Sequence, residues 1–591
     1  MLFSDLARDL TETPVSYIKA AGRIDAGELK GLHPVRVAVL ASFTAQLLAP
    51  WLKVEGAARG LAVKPWFAPY GQFEQVVLDE KSPLYAHQPD VIVLLIRLED
   101  FAPPLAKRFL AQTGAGIDEA VLSMESRLET LVAGVRRHTQ AAVFISNFPA
   151  PPRKSAGLAD AGLELSQSAM VSKANDMLAR LTQKTANVFI FDYAQLVATH
   201  GWRHWMDPKL LYTARIPFGA AGQLATARGM ARMMRALLFP PLKCLVLDLD
   251  NTLWGGVLGE DRGIALGEDF PGNIFKTFQR YLLELKDRGV LLAVSSKNNE
   301  PEARELIAGH PDMLLRPDDF AAIRINWREK SEGLREIASE LNIGPEALAF
   351  FDDNPSERAE VQARLPEVTV LDVPADPIHY IQTIEESGVF DRLALTSEDR
   401  QRAGYYTHQT ERRAAVGKFE TKEDFLRSLE MVATIGPVDA LTLPRVAQLV
   451  AKTNQFNLTT RRHSLAEISA IMETGTCLWL RLEDRFGDNG LTGVAIAVPE
   501  NGAAWRIDTF LLSCRIISRG AESALLARLL ARIRERGATE VFGEYLPTTK
   551  NAPCADFYAG HGFESVGNNR WRLDLTTHNV GNPPFISVRE P

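Results

Sequence analysis

The chain is 591 residues long, and at roughly 100–200 residues per domain that length holds three or four domains. Its net charge is −7, from 66 basic and 73 acidic residues, and no basic run offsets that balance, which argues against a nucleic-acid-binding protein. The hydrophobic share of 46% and charged share of 24% suit a folded, water-soluble chain, and no apolar stretch approaches the ~20 residues of a membrane span. Cys244, Cys477, Cys514 and Cys554 lack C-x-x-C spacing, so neither a zinc site nor a disulfide framework is expected and a reducing compartment is the default. The N-terminus carries acids early and has no apolar signal core. The expectation is a cytoplasmic protein with no membrane or nucleic-acid partner.

Three regions follow one another. In residues 1–240, the short apolar runs Val35–Ala41, Val91–Ile96, Ala142–Ser146 and Val188–Phe191 predict buried parallel strands. Helical spacing over Ile117–His138 and Ala169–Leu181 places helices between them, an α/β layered sheet. Phe239-Pro-Pro241 is the expected linker. In residues 241–375, strands are predicted at Cys244–Leu247, Val290–Ser295, Ala321–Ile325, Ala349–Phe351 and Thr369–Leu371. Helices are predicted at Ile274–Arg288, Pro301–Ala308, Ser331–Leu341 and Ser356–Leu365. This is a second doubly wound sheet, a fold that places its site at the carboxyl ends of the strands. Residues 376–591 begin with a charged, mostly helical connector (Ser397–Leu429) and continue as strands and helices to about Leu575.

The second region concentrates charge at strand ends. Asp248 and Asp250 follow an apolar strand, with Thr252 beyond; Ser296 ends the next strand; Lys330 opens a helix; Asp352 and Asp353 end a later strand. A carboxylate can attack phosphorus to form an aspartyl phosphate, provided that a hard cation held by oxygen ligands offsets its repulsion with the phosphate. Asp248 is the expected nucleophile, and Asp250 the general acid and later base. Ser296, Lys297, Lys330 and Thr252 are expected to hold phosphoryl oxygens. Asp248, Asp250, Asp352 and Asp353 are the expected ligands of Mg²⁺. Only about 20 residues separate Leu253 from the helix near Ile274, too few for a lid domain. The site should be open.

The strand ending in Asp-Leu-Asp-Asn-Thr252, with Ser296, Lys330 and the Asp352–Asp353 pair in that order, resembles the four motifs of the haloacid dehalogenase-like superfamily. The longer stretches Asp248-Leu-Asp-Asn-Thr-Leu-Trp-Gly-Gly-Val257, Ser296-Lys-Asn-Asn299, Phe351-Asp-Asp-Asn-Pro355 and Lys452-Thr-Asn-Gln-Phe-Asn-Leu-Thr-Thr-Arg-Arg462 resemble, more narrowly, the FkbH-like family of subfamily IIIC phosphatases. The resemblance runs from about residue 30 to 575. It implies an enzyme of polyketide-type biosynthesis. Such an enzyme takes 1,3-bisphosphoglycerate, removes phosphate and loads a glyceryl or related hydroxyacyl group onto the phosphopantetheine thiol of an acyl carrier protein. Family members carry Cys where this chain has Ser295, so a covalent acyl step there would give an oxyester. Cys244, in the strand before Asp248, reads as a small buried hydrophobe.

The flanking regions carry resemblances of their own. Arg515-Ile-Ile-Ser-Arg-Gly-Ala521 ahead of an apolar helix, with Phe557-Tyr-Ala-Gly-His-Gly-Phe563 further on, resembles the GNAT acyltransferase fold. That likeness implies a site for the pantetheine arm, with Asp488, Arg515, Arg519, Gly520 and Asn551 as its candidate residues, and a structural role for His561. Ser42, after Val39-Leu-Ala, stands where the nucleophile of an SGNH hydrolase would. The partner base is missing, because Asp207-Pro-Lys-Leu210 has Leu210 where His is needed, so a degenerate scaffold is expected. Two other readings stand beside transfer: a plain phosphatase, and a carrier-protein docking scaffold.

Overall fold

In the computed structural model, the structure describes residues 3–7, 10–260, 263–395, 419, 421–513, 515–548 and 550–591. The first sheet holds five parallel strands: β1 (His33–Ala41), β2 (Leu61–Phe67), β3 (Val91–Leu95), β4 (Ala142–Ser146) and β5 (Val188–Phe191), in the order β2-β1-β3-β4-β5. β3 and β4 are buried along their whole length, because helices such as Gly114–His138 pack their apolar stripes onto the sheet. β2 was not predicted. Lys64 and Pro65 interrupt its apolar pattern, and the strand lies at the sheet edge, where a proline breaks no ladder on its open side.

The second sheet is also parallel and five-stranded: β6 (Cys244–Leu247), β7 (Leu291–Ser296), β8 (Phe320–Ile325), β9 (Leu348–Phe351) and β10 (Thr369–Val370), ordered β10-β9-β6-β7-β8. β6 is central. Leu245 and Leu247 enter one core and Cys244 and Val246 the core on the opposite face, the period-two alternation of a strand covered on both sides. The strand order reverses beside β6, at the β6–β9 junction, so a crevice is expected at the carboxyl ends of these two strands.

The segment after β6 is a tight loop. Gly255 pairs with Ala265 across it, and a Cβ on Gly255 would lie 2.7 Å from the Phe275 ring, so a larger residue there would have to displace that ring. The helix Gly272–Asp287 then begins, with no lid domain among the described residues before it. The core of this domain runs past residue 375. Tyr380, Ile384, Val389 and Phe390 are buried in it, and the Tyr380 ring packs on Phe278 and Phe351 at 5.4 and 5.1 Å.

The third sheet is mixed and nine-stranded: β11 (Met431–Pro437), β12 (Phe456–Asn457), β13 (Thr476–Asp484), β14 (Gly487–Pro499), β15 (Ala504–Leu512), β16 (Glu540–Glu544), β17 (Glu564–Gly567), β18 (Arg570–Asp574) and β19 (Ile586–Arg589). Its order is β17-β18-β16-β15-β14-β13-β11-β19, with β12 on β15. The helix Ala521–Glu535 covers one face, and the helices Leu443–Lys452 and Leu465–Thr474 cover the other. The expected connector Ser397–Leu429 falls mostly outside the described residues; its end forms the helix Lys422–Ser428. Met1–Phe239 and Pro240–Pro591 are two compact units. Among the described residues, no helix is long and apolar enough to cross a membrane.

Candidate active site

Asp248 is the first residue past β6. Its N–H donates to the Phe351 carbonyl at 3.0 Å, continuing the β6–β9 pairing in which Leu247 faces Phe351. Asp248 and Asp352 therefore stand side by side at the crevice. Lys330, the first residue of the helix Lys330–Leu341, is 3% exposed. Its ammonium reaches Asp248 Oδ1 at 2.6 Å, the Ser295 carbonyl at 2.7 Å and Asp352 Oδ2 at 3.0 Å. Burial opposes its charge, but Asp248 and Asp352 outweigh that and raise its pKa.

Asp248, Asp352 and Asp353 each offer a carboxylate oxygen, all within 4.8 Å of one another. Asp352 is fully buried, and its Oδ2 has the charge contact with Lys330 but no hydrogen bond. Burial and the neighbouring Asp248 push Asp353 up to about 6 and raise Asp352 as well. One ammonium cannot neutralise three clustered carboxylates. The donor set is all oxygen, so these residues fit a hard divalent cation such as Mg²⁺. Arg358 fixes the loop from behind, donating to the Asp352 and Asp353 carbonyls at 2.7 and 2.8 Å.

Asp250 has a different environment. Oδ1 accepts from Trp254 Nε1 at 2.8 Å and from the Leu258 N–H at 3.3 Å, and Oδ2 from Asn298 Nδ2 at 2.9 Å. Its carboxylate lies outside the three-carboxylate group, a departure from the expected ligand set: its oxygens are already committed to these donors. Burial raises its pKa, and the Trp254 hydrogen bond partly offsets the rise. Burial, not these N–H donors, is what favours a proton on Asp250 for donation.

The expected phosphate-binding residues separate. Ser296 is buried at the end of β7, beside the site, and Thr252 is wholly buried with its hydroxyl in no hydrogen bond. Lys297 instead pairs with Glu357 at 2.8 Å. Ser295 alternates away from Ser296 and sits under the helix Lys330–Leu341, its Oγ 2.8 Å from where a Cβ on Gly333 would be. Cys244 is buried, and burial pushes its thiol well above the usual range. Trp254 and Asn298 were part of the quoted motifs without being nominated. Arg358 gave no signal, because its role depends on how the helix Pro355–Arg364 docks.

In the third sheet, four of the five residues expected to hold the pantetheine arm are tied to protein partners. Asp488 pairs with Arg481 at 2.5 Å, and Arg519 with the buried Asp484 at 3.1 Å. Gly520 has φ +83°, and a Cβ there would lie 2.8 Å from Phe585. Asn551 is fully buried and bonds the carbonyls of Asn457 and Leu546 at 2.9 and 3.0 Å. Arg515 bonds Ser513 Oγ at 3.2 Å and lines a cavity. β15 pairs with β16 only over Ala504–Arg506; further along, β12 takes the place beside it. His561 bridges the Phe557 carbonyl and Ser523 at 2.7 and 2.8 Å, a structural contact.

In the first unit, Ser42 donates to Asp100 at 2.9 Å and accepts from the Arg97 N–H at 3.0 Å. Asp207 caps the helix Pro208–Ala214 through the Leu210 N–H. The group that accepts from Ser42 is a carboxylate, not the histidine of the expected pattern, and Asp207 is committed to its helix cap.

Residues 36–223 match the FkbH N-terminal domain family. The N-terminal part of the Bacteroides fragilis protein BF1531, which contains a phosphatase domain and was solved with Mg, is 28% identical; the match covers 67% of this chain and 100% of that one, with a TM-score of 0.54. A GNAT-family protein from Desulfovibrio desulfuricans matches 24% of this chain and 99% of its own length at 16% identity and a TM-score of 0.21. The ribosomal-protein-S18-alanine N-acetyltransferase of Escherichia coli matches 25% of this chain and 96% of its own length at 14% identity and a TM-score of 0.20. No curated protein matches the chain. The chain therefore carries an FkbH N-terminal domain followed by a phosphatase domain of the haloacid dehalogenase-like kind.

Proposed function

We propose that this protein is an Mg²⁺-dependent aspartate phosphatase that also transfers an acyl group. It takes 1,3-bisphosphoglycerate or a related phosphorylated hydroxyacyl donor and loads the acyl group onto the phosphopantetheine thiol of an acyl carrier protein. The observation behind the phosphoryl half is the buried Lys330 between Asp248 and Asp352 at the β6–β9 crevice, with Asp250 two residues beyond the nucleophile. The acyl half rests on the resemblance of the motifs to the FkbH-like family.

The two halves use different phosphates. Attack by Asp248 on the acyl phosphate would release a free carboxylate and waste its activation, so Asp248 takes the terminal phosphomonoester. Its oxygen forms a bond to phosphorus, the bond from phosphorus to the alcohol oxygen breaks, and Asp250 gives that oxygen its proton. Water then attacks the aspartyl phosphate and Asp250 takes the water's proton, releasing phosphate and restoring Asp248. Lys330 holds Asp248 in line and offsets the charge that develops. A bound divalent cation would supply the remaining charge neutralisation at the carboxylates; the B. fragilis relative was solved with Mg. In the acyl step, the carrier thiol gives its proton to solvent and its sulfur bonds to the acyl carbon, while the bond from that carbon to the phosphate oxygen breaks and inorganic phosphate leaves with the electron pair.

A plain phosphatase remains the second reading. It is favoured by the partners already held by Asp488, Arg519 and Asn551. Incubation with Mg²⁺, 1,3-bisphosphoglycerate and a holo carrier protein separates the two. A carrier mass gain equal to a glyceryl group supports transfer, whereas phosphate release with no mass gain leaves only the phosphatase.

A further inference from the structure

The first unit has no part in the reaction above, yet its sheet has a crevice of its own. The chain leaves β1 for β2 on one side and returns to β3 on the other. The strand order therefore reverses between β1 and β3, which is where a parallel sheet places a ligand, beyond the carboxyl ends of its strands. A cavity of about 250 Å³ lies at those ends. Phe43 follows β1, Ile96 and Arg97 follow β3, Ser146 ends β4 and Tyr193 follows β5, and all five line it. Ser42 is not among the lining residues, so the cavity is considered for binding and not for hydrolysis.

Most of the remaining wall is apolar, with Leu98, Leu105, Met170, Trp202 and Trp205 in it. Three polar side chains in this wall have hydrogens to donate and no acceptor for them among the described residues. Ser146 is 2% exposed; its Oγ accepts from the Ile96 N–H at 3.1 Å, which leaves its own proton unused. The Tyr193 hydroxyl accepts from Trp205 Nε1 at 2.9 Å, and its proton is likewise unused. Burial raises the pKa of that phenol, so the proton stays on. Gln167 is 4% exposed; its Oε1 accepts from the Ser155 N–H at 2.5 Å, and its Nε2 has no partner. Buried donors without acceptors are costly, and these three line one small space. Of the charged lining residues, Arg97 is paired with Glu99 at 3.4 Å and with Asp100 at 3.6 Å. Arg153 is exposed, with no ion-pair partner among the described residues.

We propose that this cavity binds a small apolar molecule headed by an acyl carbonyl. The aromatic and aliphatic wall takes the body of the ligand, and the three donors meet carbonyl or carboxylate oxygens, which only accept. Sites for drug-sized ligands span roughly 300–1,000 Å³, and this cavity is smaller, so the ligand is a short chain or a single ring. Two sources share this chemistry: a free carboxylic acid, and a neutral acyl compound such as an amide or ester. Arg153 favours the acid.

The test is isothermal titration of the full-length protein with octanoate, octanamide and octylamine, which share a chain length and differ in the head group. None carries phosphate, so the result is independent of the phosphatase reading. Saturable binding of octanoate or octanamide is expected, with octylamine, whose ammonium can only donate, weaker by roughly tenfold or more. Binding should fall roughly tenfold in Gln167→Glu, which keeps an oxygen for Ser155 and removes the N–H donors. Ala106→Trp, which adds bulk at a partly exposed lining position, should weaken it as well. Circular dichroism equal to that of the parent shows that both variants fold. Octanoate binding more tightly than octanamide assigns the free acid; octanamide binding equally or more tightly assigns a neutral acyl compound. No saturable binding of either, octylamine binding as tightly as both, or binding that both substitutions leave intact overturns the proposal.

Discussion

Asp250 and Asp248 are two residues apart on one strand end, yet their surroundings assign them different work. Asp248 faces the Lys330 ammonium at 2.6 Å, which holds its carboxylate at the crevice. Asp250 is held by Trp254 and Asn298, and burial raises its pKa. Because the Trp254 N–H stabilises the ionised carboxylate, its removal should raise the Asp250 pKa further. Trp254→Phe is therefore expected to move the basic limb of the kcat/KM–pH profile upward. A limb that stays in place would detach Asp250 from the proton transfer. Asp248, Lys330 and Asp352 were legible in the sequence because charged residues directly after apolar strand runs are a local pattern. Asn298 and Arg358 were not, because their value lies in the partner reached across the fold. Lys297 and Asn551 show the converse: their residue types suit ligand binding, but their partners are Glu357 and the main chain near β12.

At the scale of elements, the phosphatase sheet was read nearly strand for strand, because parallel strands covered on both faces are continuous apolar runs. β2 escaped because Pro65 interrupts its pattern at a sheet edge, and β12 because two residues make no period. β12 nonetheless shapes the third sheet by filling the place beside β15 where β16 turns away. Asn551 pins it, bonding the Asn457 and Leu546 carbonyls and accepting from the Thr548 N–H at 2.7 Å. Asn551→Ala strands these buried groups, so a loss of about 2–3 kcal/mol is expected. Urea unfolding followed by tryptophan fluorescence measures it; a midpoint equal to that of the parent would show that β12 is held by other contacts.

For the whole molecule, every group assigned to phosphoryl transfer lies in the unit Pro240–Pro591. A fragment of that unit is expected to keep Mg²⁺-dependent phosphate release from a small phosphomonoester at a rate within severalfold of the full chain. A folded but inactive fragment would show that the first unit contributes to the site. The carboxylate cluster also sets a pH dependence. Folding raises the pKa of Asp352, and that of Asp353 from 3.8 to about 6. Their contribution to stability is full below the unfolded value and is lost as pH rises through the folded values. Without metal, the thermal midpoint should fall as pH rises from 4 toward and past 6, and Mg²⁺ should reverse much of that fall, since it favours the ionised carboxylates. Scanning fluorimetry with and without EDTA reads this directly, and identical midpoints across that range would remove the metal from the cluster.

The central claim is that Asp248 carries the phosphoryl group. Its most direct test is acid quenching of the enzyme during turnover with Mg²⁺ and a phosphomonoester, followed by peptide mapping by mass spectrometry. A single added phosphoryl group on the peptide containing Asp248, absent in Asp248→Asn, is the predicted result. Phosphate release that persists in that variant, or a phosphoryl group trapped on another residue, would contradict it.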